Sequence, residues 1–350
     1  MPFKHLIRIT QEAISGKDSN WFSAYRKSLG AVQKDIAKLA SSSDVPRDTR
    51  LFAVKLLNGD VESELYRSWL VVNQVLEDSD TKTSQAAANL LRAPIINVWG
   101  TIIAVAQKDF ERTWKDKTLF AFNESLRGRY PFVKDSRDAS MNDVTDFFKP
   151  KDGTFWSLVS DDMGAFVERK GNNWEARKWM GVGLEYTPEF LQIISKTSDI
   201  SDSMFKRGES NPGLNFAVYP STNSALSESS ISIDGTDYRY RNGPQEWTNF
   251  AWPGPNPGAR VRGIRSGSQA SGELAMEGPW ALLRLLDRAH ISVNQGGAFL
   301  ASWSIPDSSG QRLGVSFRIK PDRNAALLQN GVLQGYSLPT EIFARQAAAK

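Results

Sequence analysis

The spacing of apolar residues changes once along this chain, at Ser210–Gly213, and no single regular architecture satisfies both sides of the change. Before it, Phe22, Tyr25, Leu29, Val32, Ile36 and Leu39 recur at alternating intervals of three and four, which places them on one seam of a helix. Leu65, Trp69, Val72 and Leu76 repeat the interval, and 86–106 and 113–126 read as further helices. The seams are too short for a coiled coil, so a bundle is expected. After Gly213 the pattern alternates in short runs (LNFAVYP, SISI, TDYRYR, EWTNFAW, ARVRGIR, AFLASWSI, RLGVSFRI), with Gly, Pro, Asn or Asp between most of them. Short alternating runs bounded by turn residues predict an antiparallel sandwich or small barrel. The expected fold class is therefore α+β, an N-terminal all-helical bundle followed by an antiparallel β-sandwich-like domain with one packed helix. The predicted domains are 1–209, with a subdivision near 128–140, and 210–345, followed by a tail at 346–350.

Local punctuation agrees with this division. Thr187-Pro188-Glu189 supplies an N-cap, a proline at the first helical position and an acid near the positive helix end. Lys206-Arg207-Gly208 supplies the matching stop. Asp234-Gly235 tolerates the positive φ angles of a type I′ turn and predicts a hairpin. Gly278-Pro279 opens a helix running to Ala289. Arg284, Asp287 and Arg288 form its polar stripe, and Trp280, Leu282, Leu283, Leu285, Leu286 and Ala289 its broad apolar face. Such a helix packs against something large, most simply an antiparallel sheet. Arg260 and Arg262 share a face of ARVRGIR and read as the solvated side of an edge strand.

Composition narrows the function classes. The net charge of +4 comes from 43 basic and 39 acidic residues that are interspersed, without the clustered basic face that tracks phosphates. The absence of cysteine excludes disulfides, thiol nucleophiles and thiolate metal sites. The longest nearly uncharged apolar run, Ala93–Ala106, is shorter than the roughly 20 residues of a spanning helix and reads as a buried helix. The opening MPFKHLIRIT lacks the features of a secretion signal.

No set of residues converges on chemistry. His5 and His290 lie far apart without ligand-spaced companions, and His290 follows a predicted helix whose negative end suits a cation. There is no GxxxxGK[ST] loop, and Gly181-Val182-Gly183 lacks the third glycine of a dinucleotide site. Asp161 and Asp162 diverge by about 100° on a helix and read as surface acids, as do Asp143 and Asp146. Trp247, Trp252 and Trp303 in the sheet half could stack on sugar rings, although tryptophan in strands is more often core.

Several blocks occur in one order: LRGRYPF (126–132), DASMNDVTDFFKPKDGTFWSLV (138–159), NNWEAR (172–177), TPEFLQIISKTSDISDSMF (187–205), SISIDGTDYRYRNGPQEWTNFAWPGP (230–255) and GPWALLRLLDRA (278–289). They resemble the C-terminal region of the IcmF/TssM proteins of type VI secretion systems, and the likeness covers nearly the whole chain. It implies a periplasmic portion of an inner-membrane protein that binds the outer-membrane lipoprotein TssJ, with TssL and further TssM copies as neighbours. The signal, the membrane span and the family's nucleotide-binding segment would then lie upstream. No catalytic, cofactor or metal position carries over, and no nucleic acid is implied. The expected function is a non-enzymatic docking module. Tyr238, Arg239 and Tyr240 of the hairpin and Arg260 and Arg262 are the predicted contacts, because Tyr and Arg combine large area with directional hydrogen bonds. Two other readings stand beside it: a module binding or cleaving periplasmic glycan, and a cytosolic helical adaptor, which would require the sheet to fail.

Overall fold

Helical periodicity before residue 210 and alternation after it both carry into the structure, a computed structural model describing residues 20–59, 62–76, 82–171, 173–206, 209–293, 297–322, 327–328 and 332–344. His5 and the opening segment, the Arg207-Gly208 stop and the 346–350 tail lie outside the described residues. The chain divides into two compact units, one formed by residues 1–116, 162–191 and 341–350, the other by 117–161 and 192–340. The second thus takes in 117–161 and 192–209 from the segment with helical period.

The first unit is built on α1 (Asn20–Ala40), α2 (Val45–Leu57), α3 (Glu64–Leu76) and α4 (Lys82–Thr113). Asp44 caps α2 by accepting from Arg47 N at 3.3 Å. Along α4, Ile95, Trp99, Ile102, Ile103, Ala106 and Phe110 are buried, a stripe at helical spacing packed on α2 and α3. By length and composition the stretch Asn89–Ser125 could cross a membrane. Its burial is one-sided, and the buried stripe carries the ion-paired Asp109. Asp109 on α4 accepts from Arg50 Nε at 2.7 Å and from Arg112 Nη2 at 2.5 Å, while Arg50 Nη1 reaches Asp162 at 2.8 Å. Asp162 is therefore half of a salt bridge rather than a free surface acid; Asp161 remains exposed. A charged hairpin, β1 (Val167–Lys170) with β2 (Asn173–Ala176), interrupts the helical half. A tight turn beyond it seats Trp179 against Tyr66, Trp69 and Trp99.

In the second unit, α5 (Phe120–Ser125) and α6 (Met141–Phe148) accompany the major part of α7 (Pro188–Met204). Thr187 caps α7 as its sequence predicts, with Phe190 N donating to Oγ1 at 3.2 Å. Trp156 Nε1 donates to Ser201 Oγ, whose hydroxyl donates to Phe148 O, so the buried polar atoms are satisfied in series.

The remainder is a two-sheet sandwich. One sheet has the order β6-β3-β11-β10-β9, from Thr248–Trp252, Leu214–Pro220, Arg312–Pro321, Phe299–Pro306 and His290–Val293. The other runs β5-β4-β7-β8, from Thr236–Tyr240, Leu226–Ile233, Gly258–Arg265 and Ser271–Glu277. Alternation sends Phe216, Val218, Trp303, Val315, Phe317 and Ile319 inward from the first sheet to meet Ile231, Ile233 and Val261 of the second. The layers touch closely at Gly263, where an added Cβ would stand 2.8 Å from Val315 Cγ2.

Three expectations need correction. Strand β7 is interior, since β8 pairs along its free side, so Arg260 and Arg262 are not on an edge. Helix α8 spans Ala281–Asp287, and Pro279 lies in the turn leading into it rather than at its first position. His290 begins β9, opposite Ser302, rather than closing the helix.

One buried acid ties the ends of the sandwich. Asp307, its side chain fully shielded, accepts from Ser309 N and Oγ, from Gln311 N and from two nitrogens of Arg265. The Ser309 hydroxyl and, against the opposing effect of burial, the Arg265 guanidinium and backbone N–H groups hold this carboxyl at about 2, below its usual 3.8. A depressed folded-state pKa stabilises the fold fully above the unfolded value, and that contribution is lost as pH falls through the folded one. The urea midpoint of Asp307→Asn should thus lie well below the parent's at pH 7, with the gap closing from about pH 4 toward pH 2. A gap of equal size at both ends would refute this assignment.

Candidate partner-docking site

The β4–β5 hairpin positions the predicted contacts. Asp234 and Gly235 have φ of +46° and +90°, the two left-handed positions of a type I′ turn, and Ile233 pairs with Thr236 across it. The Asp234 side chain is turned inward and is 2% exposed. Its two oxygens accept from Gly254 N at 2.7 Å and Gly258 N at 3.0 Å, and its own N–H donates to Gly258 O. The WPGPNPG loop is thereby clamped to the hairpin tip. A side chain at 254 would collide with this clamp, since a Cβ there would lie 2.6 Å from Asp234 Cβ.

Strand alternation then sorts the five predicted contacts. Tyr238 and Tyr240 face inward: Tyr240 is buried, and Tyr238 is half-buried with its ring 6.4 Å from Phe317 and its hydroxyl donating to Glu246 O at 3.3 Å. Burial pushes the Tyr238 phenol pKa up. Arg239, Arg260 and Arg262 face outward, all exposed. Arg239 on β5 and Arg262 on β7 are both register partners of Ser230 on β4, so they flank its hydroxyl from either side. Ser232 stands between Asp237 and Arg260 in the next row.

Carboxylates engage part of this face. Arg260 lies 3.6 Å from Glu273, and Glu228 is held by Arg241 at 2.6 Å. Among the described residues Arg239 and Arg262 make no ion pair, and a shallow depression of about 290 Å³ lies over them. The arrangement sets the backbones of the two arginines about two strand spacings, roughly 10 Å, apart. It suits bidentate hydrogen bonding to carboxylates. Among the described residues no group of three or more His, Asp or Glu could hold a metal.

Of the tryptophans read as sugar platforms, Trp252 and Trp303 are core residues, 1% and 2% exposed, each donating to a backbone carbonyl. Trp247 is 46% exposed. The inward clamp of Asp234 and the serine row under the arginines were missed in the sequence. Only the Asp-Gly pair hinted at the first.

Comparison with known proteins agrees with this architecture. The Type VI secretion protein IcmF C2-like domain matches residues 216–321, and the IcmF helical domain matches 105–210. The chain belongs to the IcmF/TssM family. A relative, Type VI secretion system component TssM1 of Pseudomonas aeruginosa, is 25% identical over 258 residues, covering 72% of this chain and 23% of the relative. The chain thus spans under a quarter of the TssM1 length. Among solved structures, a Type VI secretion system membrane core complex aligns with a TM-score of 0.78 at 20% identity, covering 96% of this chain and 70% of that one. A TssM C-terminal domain from EAEC aligns at 0.59 and 23% identity, over 68% of this chain and 99% of that domain. This IcmF/TssM chain is a structural module of the type VI secretion system.

Proposed function

We propose that this TssM segment is a non-enzymatic docking module, periplasmic and part of an inner-membrane-anchored protein, which binds the outer-membrane lipoprotein TssJ through the arginine face of the four-stranded sheet. The observation that carries the proposal is the pair Arg239 and Arg262, exposed on either side of Ser230 and without an ion pair among the described residues. Exposed guanidiniums on a sheet can grip a partner's carboxylates bidentately, and that gain must exceed the cost of ordering two free side chains on binding. TssL and further TssM copies complete the neighbourhood in this proposal, and peptide carboxylates of TssJ meet the two forks. Titration of the 350-residue chain with the soluble part of TssJ, followed by calorimetry, tests it. Saturable association is expected, and no heat up to about 50 µM would contradict it.

A further inference from the structure

The opposite, outward face of the five-stranded sheet carries a second built surface. In two adjacent rows of β3 and β6 the outward residues are small or carboxamide: Asn215 pairs with Ala251, and Ala217 with Asn249. Lys320 on β11 is the register partner of Ala217 on its other side. These five residues are among those lining an open depression of about 650 Å³, which Asp322 and Thr236 of the neighbouring sheet also border. One row further along, Tyr219 pairs with Arg318, and the exposed Trp247 ring lies 5.1 Å from the Tyr219 ring at a 42° tilt. The aromatic pair is braced, since Tyr219 OH donates to Gln245 Oε1 at 3.3 Å and Gln245 Nε2 donates to Pro220 O at 2.9 Å. Arg318 and Lys320 are exposed and make no ion pair among the described residues.

We infer that this depression binds an acidic saccharide chain. A sugar ring offers an apolar C–H face and a rim of hydroxyls, which matches an aromatic plane beside carboxamides that donate and accept. The open depression offers no deep pocket for the bulky apolar anchor that a protein partner usually inserts. Arg318 and Lys320 add recognition of a carboxylate on the sugar, with the guanidinium able to grip it bidentately. From Asn215 to Tyr219 the strand advances about 14 Å, the length of a short oligosaccharide.

The test uses the 350-residue chain and glycan strands of peptidoglycan stripped of stem peptides, in which every second sugar carries a lactyl carboxylate, followed by calorimetry. Saturable binding is expected. Trp247→Ala should weaken it by about tenfold and the pair Arg318→Gln with Lys320→Gln by about fivefold. Both variants change exposed side chains, and retention of the parent's urea midpoint verifies their folding. Chitohexaose, which lacks the carboxylates, should bind about fivefold more weakly. Absence of binding at millimolar strand concentration would overturn the inference. So would affinities within twofold for both variants, or poly-L-glutamate binding as tightly as the strands, which would mark a general polyanion surface. Variants at Trp247 should leave TssJ association unchanged, so failure here is separable from failure of the docking proposal.

Discussion

Asp234→Ala should lower stability by about 3–5 kcal/mol, since it removes a buried carboxylate and leaves two amides without acceptors. The amides are those of Gly254 and Gly258, now bonded at 2.7 and 3.0 Å. Alanine would also occupy a residue at φ +46°, a region that aspartate tolerates far better. Asp234→Asn should cost about half as much, because it keeps the turn preference and one acceptor. Hydrogen exchange at Gly254 and Gly258 should accelerate in the alanine variant before exchange in β10 and β11 does. Unchanged urea midpoints for Asp234→Ala would show that the clamp contributes nothing.

Trp280→Ala should be the other severe change, costing about 3–5 kcal/mol through lost contacts and a residual cavity. Trp280 is fully buried at the entry to α8, with its ring 5.6 Å from Trp252 and its Nε1 donating to Ala139 O at 2.8 Å. It thus joins α8, the WPGPNPG loop and the segment before α6. That segment is fastened a second time by Arg284, which stacks 3.9 Å over the Tyr130 ring and pairs with Asp138, while Tyr130 OH donates to Asp287. Trp280→Phe should cost about 1–3 kcal/mol, keeping most of the packing but leaving the buried Ala139 carbonyl unpaired. Equal urea midpoints for the two variants would show that packing is not what Trp280 contributes.

The contrast between these residues shows what the sequence could reveal. Asp234 was legible as a turn residue because its φ demand is local, whereas its carboxylate serves residues 20 and 24 positions away that only the fold brings near. Trp280 and the leucines of α8 are legible as an apolar face, whereas Arg284 and Asp287 read only as part of a polar stripe, and their fastening of the 127–140 segment emerges from the fold. Strand β8, SGELAME, and strand β9, HISV, escaped notice because sheet margins keep few apolar residues and their alternation fades. The β1–β2 hairpin was hidden for the same reason, its strands being VERK and NWEA. The grouping of Tyr238, Arg239 and Tyr240 as one contact surface could have been refined without the structure. Neighbours in a strand point to opposite faces, so the tyrosines and the arginine were never able to share a surface.

The docking proposal rests on Arg239 and Arg262 acting as a pair. Its most direct test is calorimetric titration of the soluble part of TssJ into the 350-residue chain and into the double variant Arg239→Glu with Arg262→Glu, after confirming equal urea midpoints. The proposal predicts that charge reversal weakens association about thirtyfold, or about 2 kcal/mol, and that the parent's affinity falls with added salt. An affinity within threefold of the parent's would contradict it.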